Sequence, residues 1–177
     1  MQKNFDALIS VVTRFKAATA EQAALDNREK QARDEIASAV AEGSLDDGKI
    51  SRRISAANAT LDTVAARRTH IEKTLRPMLG EMRDALRDAD SAYTKIVQGR
   101  RDAIADRFYA VNAEFYEGSQ REARRHLNHE ILPAWNLANR ALWRGSVSNF
   151  TEQNALTLIS QFVAKVKANI SKLNLEL

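Results

Sequence analysis

Apolar side chains along this chain recur every three to four residues, in runs far too long for strands. The first seam runs from Phe5 through Leu8, Val12 and Phe15 to Gln22, Leu25, Glu29, Ala32, Ile36 and Ala39. One extra three-residue step near position 18 shifts its phase. A second seam begins at Ile50 and takes in Ile54, Ala57, Leu61, Val64, Arg68, Ile71, Leu75, Met78, Met82, Ala85 and Ala89. It goes on through Ile96, Ile104, Phe108, Val111 and Phe115. A third stretch places Ala123, Leu127, Ile131, Ala134, Ala138 and Leu142 on one face. The last keeps a seven-residue repeat over Leu156, Ile159, Val163, Val166, Ile170, Leu173 and Leu177. These periods predict an all-α protein.

Three short stretches separate the helices: EGSLDD at 42–47, EGSQRE at 117–122 and RGSVSN at 144–149. Glycine accepts the left-handed backbone that ends a helix, and serine accepts the free N–H groups that begin the next. Asp47 and Glu122 stand where a capping box places its acid. Gly43, Gly118 and Gly145 are therefore expected at turns between four helices.

Pro77 and Gly99 fall inside the second helix. Proline removes one backbone hydrogen bond and clashes with the carbonyl of Lys73. The apolar phase nevertheless passes both positions without a slip. This predicts one helix of about 70 residues, roughly 105 Å long and kinked at Pro77. The alternative is a five-helix bundle with a break at 77–80.

Aromatic residues divide the chain. Only Phe5 and Phe15 precede residue 90, and all other rings lie between Tyr93 and Phe162. A two-helix seam needs small residues, whereas a wider core takes large rings. The expected architecture is a long antiparallel coiled-coil hairpin over 1–89, whose second helix continues into a three-helix bundle over 90–177. Folding the hairpin about 45–47 brings position i near 92 − i. Arg68 then lies within a turn of Gln22 and Glu29, a polar contact on the seam that sets register.

Composition narrows the chemistry. The chain of 177 residues is 44% hydrophobic and 28% charged, with no cysteine, so disulfides and thiolate zinc sites are excluded. Net charge is +4; residues 119–177 hold eight Lys and Arg against four Asp and Glu, which is the whole excess. Such a balance suits an acidic partner surface but is mild for a nucleic-acid binder, and the arginine pairs at 52–53, 67–68 and 100–101 are interleaved with acids. No Gly-rich phosphate loop, nucleophile elbow or facing Glu-x-x-His pair occurs, so neither an enzyme nor a cofactor is expected. Neither a signal peptide nor a membrane span is read, which points to the cytoplasm or the interior of an assembled particle.

His126 and His129 fall with Glu122 opposite the core of the third helix, so no metal site is expected there. Arg125, Arg140 and Arg144 share that outer face with Trp143 at its edge, and Arg and Trp are enriched at interface hot spots. Ile9 and Val11 lie beside the Phe5–Leu8–Val12 seam and make it broader than one partner helix requires. Phe5, Ile9 and Val11 are thus a second candidate for partner binding or self-association.

These features predict a non-enzymatic structural or protein-interaction subunit of a larger assembly: a scaffold, an adaptor or a phage-particle component. REARRHLNHEILPAWNLANRAL at 121–142 resembles the last helices of bacterial four-helix-bundle chemoreceptor sensor domains. That resemblance implies a small-ligand-sensing bundle with a pocket near Arg100, Arg101 and Trp135, and such receptors carry flanking membrane spans. A weakly basic nucleic-acid-associated protein is the third alternative.

Overall fold

In a computed structural model the chain is all-α. The structure describes residues 1–43, 47–117, 120–143, 145, 147 and 150–173, and for 114–117 and 171 the backbone alone. Helix α1 spans Gln2–Glu42, α2 Gly48–Glu117 and α3 Gln120–His126. A π-helical turn, Leu127–Ile131, leads into α4, Leu132–Ala141, and α5 covers Ala155–Leu173.

Helix α2 runs for 70 residues with Pro77 inside it, so the break at 77–80 does not form. Lys73 and Pro77 are both exposed, so the proline sits on the solvent side of the helix and not on the seam. Contacts divide the chain into two compact units, Ser10–Glu81 on the one hand and Met1–Ile9 with Met82–Leu177 on the other.

Ser10–Glu81 is an antiparallel helix pair. Its buried positions repeat by sevens: Leu25, Ala32 and Ala39 on α1, and Ile50, Ala57, Val64 and Ile71 on α2. Ion pairs fix the direction, with Arg53 on Glu35 and Glu42, Arg67 on Glu21 and Arg14 on Glu81. Each pair lies within about five residues of the mirror position 92 − i, a turn and a half that an arginine side chain spans. The expected phase step is present as half-buried Ala18 and Thr19, and the Thr19 hydroxyl donates to the carbonyls of Phe15 and Lys16.

The second unit holds more than the expected three-helix bundle. Phe5 of α1 stacks on Phe162 of α5, ring centroids 5.5 Å apart, so the first turns of α1 form a fourth wall. The division along α2 falls at 81/82 rather than at 89. Met82 and Leu86 are fully buried, and side chains of that size need more than one neighbouring helix. Tyr93 and Val97 continue the core on α2, whereas Ala85 and Ile96, from the expected seam, are only half-buried. Helix α5 is likewise rolled by about one position. Ala155, Ile159, Phe162, Val166, Asn169 and Leu173 are buried, while Val163 and Ile170 are half-buried.

The turns differ from expectation in their mechanism. Asp47 itself caps α2, its carboxylate accepting the Lys49 N–H at 2.8 Å. Neither Gly43 nor Gly145 takes the left-handed backbone. Gly145 is required for space instead, since a Cβ there would lie 2.0 Å from the Trp143 ring, whereas one on Gly43 would meet only the tip of the Ile50 side chain, at 3.0 Å. Helix α5 starts only at Ala155, after a turn in which Asn154 Oδ1 accepts the Thr151 N–H at 2.8 Å. Ser44, Gly118, Ser119, Ser146 and Asn149, also expected in these turns, lie outside the described residues.

Candidate functional site

The segment between α3 and α4 is built around Pro133. Proline has no N–H to return to His129, and the helix opens by one residue just before it. The Leu132 N–H bonds to the carbonyl of Leu127, an i to i−5 bond that closes the π-turn. The extra residue re-aims α4. Ala138 and Ala141 become fully buried, whereas Ala134 and Leu142, expected in the core, are half-buried. Leu132 is left 40% exposed.

Leu132, Ile131 and Trp135 face Ala105, Phe108 and Tyr109 of α2 across an open groove of about 240 Å³. Phe108 and Tyr109 meet edge to face at 5.7 Å, and Tyr109 is 68% exposed. At one end the Arg101 guanidinium lies 5.2 Å from the centre of the Trp135 ring, a cation–π contact. Its Nε is buried without a hydrogen-bond partner. Along the same helices a second depression of about 210 Å³ is lined by Val111, Asn112, Ala123, Arg124 and Leu127.

The end of α4 is held by donors from other helices. Tyr93 donates its hydroxyl to the Ala141 carbonyl at 2.9 Å, and Asn169 Nδ2 donates to Tyr93 Oη at 3.2 Å and to the Lys165 carbonyl at 2.8 Å. Lys165 Nζ donates to the Arg140 carbonyl at 2.6 Å. Carbonyls that end a helix have no partner within it, and these side chains supply one. Burial pushes the Tyr93 phenol above its ordinary value, and the Asn169 hydrogen bond partly offsets that. Asp90, one turn away, is also raised by burial, against a hydrogen bond from Thr94.

The candidates singled out in the sequence do not form one patch. Phe5 and Val11 are buried, so the broad stripe reduces to Ile9, which is 54% exposed. Trp143 is half-buried with its ring 5.2 Å from that of Phe162; it belongs to the bundle core and not to an outer face. Arg125 and Arg140 are exposed but lie roughly 22 Å apart along the helical path. Arg144 lies outside the described residues. His126 Nδ1 stands 3.3 Å from Glu130 on its own helical segment. Among the described residues no three His, Asp or Glu side chains cluster for a metal.

On the hairpin seam, Arg68 Nη2 donates to Glu29 Oε2 and to Asp26 Oδ1, both at 2.6 Å. Gln22 is half-buried nearby, and Asp26 takes the second place. The Arg68 hydrogen bond holds the Glu29 carboxyl below its ordinary range.

The aromatic groove was missed in the sequence because the straight wheel through residues 121–142 carries no π-turn. Its signals are the Phe108–Tyr109 pair, with one ring on the seam and one beside it, and Leu132 ahead of Pro133. Comparison with known proteins finds no matching family model, no matching curated protein and no matching solved structure. Among the described residues, no helix is long and apolar enough to cross a membrane.

Proposed function

We propose that this chain is a non-enzymatic protein-interaction subunit, a scaffold or adaptor in a larger assembly, and that it docks a partner through the Phe108–Tyr109–Leu132–Trp135 groove. The observation that carries this reading is the exposure of Tyr109 and Leu132, at 68% and 40%, on either side of one apolar groove. Aromatic residues around a shallow apolar cleft are the usual hot spots of protein interfaces. A helix of 70 residues is suited to presenting such a surface.

The small-ligand reading keeps second place, because its expected pocket near Arg101 and Trp135 coincides with this groove. Volume favours the docking reading. Small-molecule sites usually enclose about 300–1,000 Å³ and most of the ligand surface. At about 240 Å³, with Tyr109 largely in solvent, the groove suits one or two protein side chains better.

Co-purification from the host cell tests the reading. The tagged chain should retain a stoichiometric protein partner that the Tyr109→Ala/Leu132→Asp variant loses, at an unchanged melting temperature. Identical partners for both forms would rule the groove out as the docking site.

A further inference from the structure

The partner's chemistry is set by the ends of the groove, and this step rests on the docking reading proposed for it. We infer that the occupant is an acidic amphipathic helical segment of another protein. One large apolar side chain sits between Tyr109, Leu132 and Trp135, and a carboxylate about one turn away pairs with Arg101.

The groove runs between two helices, the surface into which a third helix lays side chains spaced three or four residues apart. Its room of about 240 Å³ takes one or two large apolar groups. At the Trp135 end, Arg101 carries a full charge whose Nε is buried and unpartnered. The half-buried guanidinium can meet an incoming carboxylate, the strong, charge-assisted form of the hydrogen bond. Arg124 lines the next depression along, and residues 119–177 carry eight basic against four acidic side chains. Both favour a segment with net negative charge.

Other occupants fit less well. Asp102 and Asp106 are exposed on the same stretch of α2, and they oppose a polyanion such as nucleic acid while tolerating one carboxylate at Arg101. A second copy offers, among the described residues outside the groove, only Ile9 and Val40 as exposed large apolar side chains.

A photo-cross-linking phenylalanine derivative at position 109, which keeps an aromatic ring there, introduced in the host cell, identifies what lies in the groove. The adduct peptide should come from another protein, carry net negative charge, and place Leu, Ile, Met or Phe within four residues of Asp or Glu. Arg101→Gln should lower the adduct yield about tenfold, the equivalent of one charge-assisted hydrogen bond. Arg107→Gln, exposed on the same helix, should leave it unchanged. If Arg101→Gln lowers the melting temperature, Arg101→Lys, which keeps the cation, should retain most of the yield.

A neutral or basic protein peptide, or a yield indifferent to Arg101, overturns the acidic occupant while the groove remains a protein-docking site. A peptide of this same chain replaces the occupant with a second copy. Adducts to lipid, nucleic acid or a small molecule, or no adduct above that from the exposed control position Glu72, overturn both readings.

Discussion

The hydroxyl of Tyr93 donates to the carbonyl of Ala141 at 2.9 Å, joining α2 to the end of α4 across 48 residues of chain. Asn169 on α5 completes the junction by donating to the same hydroxyl and, at 3.4 Å, to the same carbonyl. Three helices thus share one helix terminus inside the core. Tyr93→Phe removes the better donor and leaves Ala141 only the longer bond from Asn169. It should cost about 1–3 kcal/mol by chemical denaturation. Asn169→Ala should cost as much and couple strongly with Tyr93→Phe in a double-mutant cycle. Additive effects would show that the three groups do not act together.

Glycines test the packing in both directions. Gly145→Ala must displace the Trp143 indole, since the added carbon meets ring atoms at 2.0, 2.3 and 2.8 Å. A loss of about 1–3 kcal/mol is expected, with a change in near-ultraviolet circular dichroism. Gly80 and Gly99 lie within α2 with nothing within 4 Å of an added Cβ. Gly80→Ala and Gly99→Ala should each stabilise by about 1 kcal/mol, the helix-propensity gain, read as a higher melting temperature. A lower one would mean that α2 is not helical there.

Acid should loosen the helix pair of residues 10–81. Hydrogen bonds from Arg67, Arg68 and Arg53 hold Glu21, Glu29 and Glu42 below their ordinary value of 4.5. A depressed folded value means stability that is present above pH 4.5 and lost as pH falls through the folded values. The melting temperature of Arg68→Met should therefore depend less on pH below 4.5 than that of the parent chain. Equal pH dependence would show that the Arg68 contacts do not persist in solution.

Asp90 works with the opposite sign. Burial raises its carboxyl above the ordinary 3.8, so its contribution is present below pH 3.8 and lost as pH rises through the raised value. Its Oδ1 has no hydrogen-bond partner. Asp90→Asn should raise the melting temperature at pH 7, and the gain should disappear below pH 3.8. A gain that persisted in acid would assign the effect to something other than the charge.

Much of the fold was legible in the sequence because periodicity reports burial directly. The seven-residue spacing of Ile50, Ala57, Val64 and Ile71 placed the helix pair, and the Arg68–Glu29 contact followed from its register. Legibility ended where a third or fourth helix enters. Phe5 looks like half of an exposed stripe until α5 supplies Phe162 to cover it. Asn169 looks like a surface residue beside Ile170 until the end of α4 supplies carbonyls for it. Trp143, an apparent interface anchor, covers Gly145 and packs on Phe162. The groove itself depends on one inserted residue, a local unwinding of the helix before Pro133, and a wheel at 100° per residue has no place for that.

Docking in the groove is best tested by the solvent accessibility of Tyr109 in the chain alone and in the assembly isolated from cells, read by hydroxyl-radical footprinting. An occupied groove predicts ready oxidation of Tyr109 in the purified chain and strong protection of Tyr109 and Trp135 in the assembly, with Val40, 53% exposed, reacting equally in both. Tyr109 reacting as fast in the assembly as in the free chain would contradict it.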